Sequence, residues 1–424
     1  MKIAFKERKG KTMKRKRIKI FLKAFTKAAA AVTAAVCTAV MGFVGYYEQA
    51  LPDCYTTASG GELSFNTILP ITADAKEESI TVYSESEILS VTTKTAELEL
   101  FGSIPIKEVK EETVNRPMLM VCGNAFGIKL VTDGVMIIDM KEISGSCPAE
   151  EAGLEVGDVI EAINGERVTS NSQVSEIIKD SGGEECIVKY RRDDEEHECS
   201  VRPVLNEGSY CAGMWVRDSS AGIGTITFID PETGVFAGLG HAVCDNDTHD
   251  PLPLSDGSIS DVKINGYTKS EKGDPGQLIG EFCGSQTGSL LLNCDGGVYG
   301  VTDEYDDGEL YELGFSSEIK LGKAYIIAQI DDGEPQQFEI SIEKVSPSDS
   351  EHDLVIKVTD ERLIRMTGGI VQGMSGSPII QDGRLVGAVT HVFVDDPTGG
   401  YGIFADRMYE YSQSLSSDGE ELAG

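Results

Sequence analysis

None of the ten cysteines stands three positions from another, so C-x-x-C zinc fingers and thioredoxin-type redox motifs are excluded at the outset. They are scattered singly, with Cys37 inside an apolar run, which reads as small buried hydrophobes rather than a disulfide framework. Basic residues are scarce: 37 Lys and Arg face 70 Asp and Glu, a formal net charge of -33, so most of this surface would repel a phosphate backbone. A general nucleic-acid binder is therefore excluded. Histidine occurs only five times, so few side chains can serve as a base near neutrality.

What is present completes the outline. With 40% hydrophobic and 25% charged residues, most of the chain is not intrinsically disordered, and 424 residues suit two or three domains. Residues 1–27 carry twelve Lys or Arg and one acid, Glu7, so the remainder carries a net -44. The two parts face different surroundings. Between them lies the uncharged run AAAAVTAAVCTAVMGFVGYY, Ala28 to Tyr47, whose twenty residues can cross a hydrocarbon core of about 30 Å. The cluster of Lys and Arg before it predicts a cytoplasmic N-terminus and a translocated acidic bulk. A retained anchor (residues 1–47) and a cleaved signal segment are both compatible with that pattern.

Residues 48–116 are polar and acidic with short alternating stretches such as Glu97–Phe101, an expected spacer with a few strands. Residues 117–204 read as a small domain. Strands are expected at Ile128–Val131 and Val135–Ile138 around a turn at Asp133–Gly134. Ser170-Asn171-Ser172-Gln173 fits a capping box opening a helix with Val174, Ile177 and Ile178 on one face, stopped at Gly182–Gly183. Two strands joined at Asp193–Glu196 close the domain. The stretches Pro148–Ala149, Ala152-Gly153-Leu154, Gly157–Asp158 and Ile163-Asn164-Gly165 resemble a PDZ domain of the bacterial protease type. That resemblance implies peptide binding by strand addition, with Ala125, Phe126, Gly127 and Ile128 as the loop that holds a terminal carboxylate. Phe126 and Ile128 can equally be core residues of a first strand.

Residues 205–411 are rich in glycine and in short strands, such as Gly224–Phe228 and Gly234–Ala237 around Asp230–Pro231, and an all-β barrel or sandwich is expected. Residues 412–424 form a polar tail, expected to be frayed from Gln413 onward. The sharpest signal is Gly373-Met374-Ser375-Gly376-Ser377-Pro378. Flanking glycines let the chain turn tightly, so that a hydroxyl projects and adjacent N–H groups converge on one spot, the arrangement of an oxyanion hole. Ile379–Ile380 and Leu385–Val389 read as a buried hairpin turning at Asp382–Gly383, a rigid support behind the serine.

A serine needs a base. His241, among the small residues of Gly238-Leu239-Gly240-His241-Ala242-Val243, has room around its ring; His197, His249 and His352 lie in polar text; His391, after the strand behind Ser375, is the competitor. For a carboxylate to orient the imidazole, Asp360 ends an apolar strand shortly before the serine, and Asp245, Asp261 and Asp395 stay open.

Taken together the apolar anchor, the PDZ-like text and the segments GLGHAV, KVTDERL and GGIVQGMSGSPII resemble the SpoIVB peptidase family, serine proteases related to the chymotrypsin-like group. The resemblance implies a mainly β chain: an N-terminal membrane anchor, a PDZ domain and a chymotrypsin-like β-barrel peptidase. It places the base on His241, the acid on Asp360 and the nucleophile on Ser375, with the N–H groups of Gly373 and Ser375 as oxyanion donors, and it implies no metal and no cofactor. It further implies an extracytoplasmic enzyme, between forespore and mother-cell membranes, that cleaves its own spacer. It would then cut a regulator of a membrane-embedded metalloprotease in sporulation signalling. Two other readings stand beside it: a catalytically idle PDZ scaffold binding peptide tails, and a calcium module built on Asp303–Gly308, whose spacing does not match the twelve-residue calcium loop.

Overall fold

The computed structural model describes residues 27, 29–58, 63, 65, 67, 69–83, 90–114, 116–143, 145–193, 195–245, 248–302, 308–347 and 352–418. The basic tail up to residue 26 and the acidic residues 303–307 considered for calcium lie outside them. The apolar run forms helix α1, Ala29–Ala50, at 22 residues long enough to cross a membrane, and it leaves Val32, Val36, Met41 and Phe43 exposed. Two compact units follow the chain, residues 1–115 and 116–424.

In the first unit the expected spacer is a folded sheet. Strands β1 (Cys54–Ala58), β2 (Ile71–Tyr83), β3 (Ser90–Leu100) and β4 (Ile104–Val114) pair in the order β1-β4-β3-β2. Alternation buries Ala96, Leu98 and Leu100 of β3 on one face, where they pack with Ile106, Val109 and Tyr47. The acids between them point outward.

The second unit is mainly β. Strands β5 (Met118–Val121) and β6 (Ala125–Met140) open it; short helix α2 (Pro148–Glu151), β7 (Val159–Ile163), β8 (Glu166–Arg167), helix α3 (Asn171–Asp180), β9 (Cys186–Arg192) and β10 (Glu195–Val201) follow. After the β11 (Val204–Asn206) and β12 (Ser209–Cys211) pair come β13 (Met214–Ile229), β14 (Val235–Gly238), β15 (Leu254–Tyr267), β16 (Leu278–Cys294) and β17 (Gly297–Thr302). The last group is β18 (Leu310–Leu313), β19 (Gly322–Ala328), β20 (Gln336–Val345), β21 (Leu354–Val358), helix α4 (Glu361–Thr367), β22 (Pro378–Gln381), β23 (Arg384–Val392), β24 (Gly399–Phe404) and helix α5 (Ala405–Asp418). Apart from β11 and β12, the strands of this unit close into one barrel-like sheet.

Several apolar cores fill it, three of them extensive. Val135, Ile137, Leu154, Ile160, Val174 and Val188 fill the PDZ-like part. Phe126, Ile229, Phe236, Leu239, Leu290 and Val298 fill the sheet around β13 to β17, and Ile326, Phe338, Ile356, Leu363, Met374 and Ile379 the sheet around β19 to β24.

Local signals in the PDZ-like part hold. Ser170 caps α3, accepting from the Gln173 N–H at 3.3 Å, while the Gln173 side chain returns to the Ser170 N–H at 3.2 Å. Asp158 is 1% exposed, and its carboxylate accepts two bonds from the Arg192 guanidinium, at 2.6 and 2.7 Å, plus the Glu155 N–H at 2.8 Å. These bonds compensate the burial of the Asp158 carboxylate, giving it a structural role.

Two expectations need correction. Asp133–Gly134 is not a turn between two separate strands: both residues lie within β6, which bulges away from β13 between Val131 and Met136. A Cβ on Gly134 would lie 2.7 Å from the Ile160 carbonyl oxygen, so this glycine (φ +96°) permits close approach of β7 rather than a reversal. The polar tail is not frayed at its start, because Gln413–Asp418 continue α5.

Both β6 and β13 are sixteen residues long and pair with each other from Ala125–Thr225 to Met140–Met214. Each therefore runs from the PDZ-like core into the core around Phe126 and Phe236.

Candidate active site

His241 follows β14 on a loop under local strain. Leu239 (φ +63°) and Gly240 (φ +71°) are consecutive left-handed residues, and Leu239 tolerates that conformation because its side chain is buried beside Phe126 and Phe236. A Cβ on Gly240 would sit 3.0 Å from the Thr390 methyl, so the loop lies directly on β23. The His241 Nδ1 is 2.8 Å from the Ala242 carbonyl oxygen, which fixes the ring and leaves Nε2 as the nitrogen able to accept a proton.

Ser375 sits on the turn before β22, between Gly373 (φ +100°) and Gly376 (φ +95°). A Cβ on Gly376 would fall 2.0 Å from the Thr225 oxygen and 2.6 Å from the Leu239 nitrogen; only glycine lets the serine turn lie against the histidine loop. The turn is pinned by the Thr225 N–H donating to the Ser375 carbonyl (2.9 Å) and the Gly376 N–H to the Val389 carbonyl (2.7 Å). Met374 and Ser377 N–H groups are also engaged, with Val371 and Met374 carbonyls. Among the described residues no acceptor takes the N–H of Gly373 or Ser375. Ser375 Oγ donates to the Thr390 carbonyl at 2.6 Å.

The residue after Thr390 is His391, whose ring centroid lies 4.5 Å from that of His241. Burial lowers the pKa of His241, and burial with the neighbouring imidazoles of His241 and His352 lowers that of His391 to about 4. Both rings are neutral near pH 7. They face a cleft of about 800 Å³ that also brings in Gly240, Cys244, His249, Asp295, His352, Thr390, Arg407 and Glu410. Four of the five histidines thus share one cleft. No local signal marks His249 and His352, which lie in polar loops; His391 carries one, its place at the end of a buried strand.

Asp360 is not brought to this cleft group. It caps α4, accepting from the Arg362 N–H (2.8 Å) and from the Arg362 guanidinium at 3.1 and 2.8 Å, and from the Glu339 N–H at 3.4 Å. The Arg362 hydrogen bond holds its carboxyl down at about 2. The other open acids go elsewhere: Asp245 pairs with Arg217 at 2.5 Å, while Asp261 and Asp395 are exposed. The expected peptide loop is also corrected. Ala125–Ile128 begin β6, and their edges are taken by β13 (Gly222–Thr225) on one side and, from Phe126 on, by β15 (Ile259–Asp261) on the other. Their N–H groups are not a free carboxylate cradle. No disulfide joins any two of the ten cysteines, and among the described residues no three His, Cys, Asp or Glu side chains converge to hold a metal ion.

Comparison with known proteins now decides the lineage. Residues 208–409 match the model of the SpoIVB peptidase S55 family, and residues 134–192 match that of the PDZ domain. Residues 208–409 thus belong to the SpoIVB peptidase S55 family, and residues 134–192 to the PDZ domains. The curated proteins it resembles include serine protease HTRA1 of Xenopus laevis and of Xenopus tropicalis, each 44% identical over 72 residues, 17% of this chain and 15% of theirs. The chain thus spans under a sixth of those relatives. Among solved structures, a PDZ domain of an SdrC-like protein from Listeria monocytogenes is 21% identical over 20% of this chain and 87% of its own (TM-score 0.17). The HtrA-type protease AlgW with a decapeptide is 13% identical over 47% of this chain and 55% of its own (TM-score 0.29). At those scores neither likeness bears on the argument.

Proposed function

We propose that this chain is an endopeptidase working through an acyl-enzyme on Ser375. His241 is the base, held by the Ala242 carbonyl rather than by Asp360, and the N–H groups of Gly373 and Ser375 receive the oxyanion. The observation that carries the reading is the selective vacancy of those two N–H groups on a turn whose other amides are engaged, set against the histidine loop at Gly376. For attack, the Ser375 hydroxyl turns from the Thr390 carbonyl toward the imidazole, which takes its proton. The tetrahedral oxyanion then draws on the two amides, each worth about 2.7–4 kcal/mol.

Its substrates are protein or peptide segments outside the cytoplasm, with the membrane reached through α1. They include its own chain between Glu48 and Arg116 and a membrane-associated regulator in a sporulation signalling pathway, whose cleavage activates a membrane-embedded metalloprotease and so the mother-cell sigma factor. No cofactor is called for. Mass spectrometry of the purified chain beside Ser375→Ala tests this: the wild type is shortened within residues 48–116 and takes up a fluorophosphonate, and the variant does neither. Cleavage retained in pure Ser375→Ala eliminates the proposal.

A second reading has one observation in its favour, the Ser375 hydroxyl resting on a carbonyl instead of an imidazole. An idle PDZ scaffold would leave every activity unchanged in His241→Ala.

A further inference from the structure

One strand reaches the serine turn from behind. Thr225 of β13 is 1% exposed and makes two bonds to that turn: its N–H donates to the Ser375 carbonyl at 2.9 Å and its Oγ1 donates to the Gly373 carbonyl at 2.8 Å. The Gly373 carbonyl belongs to the peptide plane that carries the Met374 N–H, and the Ser375 carbonyl to the plane that carries the Gly376 N–H. Between them stands a single plane, Met374–Ser375, and it carries the Ser375 N–H. Peptide planes are rigid, so fixing both neighbours leaves that middle plane little freedom to swing.

We propose that Thr225 is a positioning residue for the oxyanion hole, clamping the planes on either side of the Ser375 amide so that this donor is aimed before substrate arrives. The inference rests on the peptidase reading above. Thr227, two residues along the same strand and fully buried, donates to the Gly376 carbonyl at 2.7 Å, one plane further away, and serves as the internal comparison. Neither threonine touches the cleft, so neither would be chosen as functional from its exposure. Oxyanion stabilisation depends on donors fixed in advance; a donor that must be reoriented at the moment of attack loses much of its effect.

The test is saturable labelling of the full chain by a fluorophosphonate, separating the maximal labelling rate from the concentration at half saturation. Removal of one oxyanion donor slows chemistry about 10²–10³-fold, so loosening one is expected to cost about 10–100-fold. Thr225→Val should lower the maximal rate by that factor with the half-saturation concentration unchanged. Thr225→Ser, which keeps the hydroxyl, should restore it to within about threefold, and Thr227→Val should lose less than Thr225→Val. If Thr225→Val does not fold, Thr225→Ala is compared with Thr225→Ser in its place.

A maximal rate in Thr225→Val equal to wild type overturns the clamp while leaving the peptidase intact. Equal losses in Thr225→Val and Thr227→Val overturn it too, since they would reflect general loosening of β13. Wild type that takes up no label at all removes the peptidase reading itself, and the clamp with it.

Discussion

The turn at Ser375 and the turn at Asp360 lie fifteen residues apart in sequence, and both looked catalytic, yet they are opposites in how their polar groups are used. At Asp360 the carboxylate is fully committed: a helix cap, an arginine pair and a backbone amide consume it. At Ser375 the backbone is committed almost everywhere except at two N–H groups. A group available for chemistry is one that the fold has oriented and then left unspent. Nearness in sequence says nothing about which of the two a residue will be.

Substitutions can break or sharpen that contrast. The largest effect is expected from the histidine loop: His241→Ala should slow fluorophosphonate labelling about 10³-fold or more, the scale of losing a base in a serine protease, whereas His391→Ala should cost far less. Reversal of that order would move the base to β23. Next, Gly376→Ala should lower the melting temperature measurably and abolish labelling, because the added methyl meets the Thr225 oxygen and the Leu239 nitrogen, both backbone atoms. Retention of a wild-type rate there would contradict the contact between the two loops.

The pH profile comes third. A histidine held below its ordinary value stays neutral to lower pH, so the acid limb of the labelling rate should have its midpoint below 6.5. A midpoint at or above 6.5 would mean that the ring is not buried as described. The same shift has a sign for stability. The unfolded chain takes up a proton near pH 6.5 that the folded histidine refuses, so this contribution is complete above 6.5 and is lost as pH falls below it.

Smallest is Asp360→Ala. It should cost about 1 kcal/mol of unfolding free energy, as for other lost helix caps, and leave labelling within about threefold. Because the folded carboxyl titrates at about 2, below its ordinary 3.8, the charge-dependent part of that difference is present above 3.8 and fades as pH drops toward 2. A thousandfold fall in labelling would return Asp360 to the catalytic group.

Much of the fold was legible because its signals are local. The Ser170 capping box, the Asp382–Gly383 hairpin turn (φ +51° and +79°) and the glycines framing Ser375 are properties of a few adjacent residues. Strand partners are not. The alternation in Ala125–Ile128 announces a strand but cannot say whose neighbour it is, which is why a segment paired on two sides read as an open loop. His391 and His352 reach the cleft through β23 and through a loop beside Tyr401, at distances along the chain that no motif encodes. Asp360 shows the same limit: its position after an apolar strand is legible in the sequence, and its engagement by Arg362 and the Glu339 N–H is not.

The two sixteen-residue strands β6 and β13 also decide how this protein comes apart. Because each donates residues to two cores, melting either core strips a ladder from the other, and residues 116–418 should denature in one cooperative transition rather than as beads on a string. A fragment excised at residue 204 would lose β13, the partner of β6 near both of its ends, and expose a raw strand edge prone to clumping.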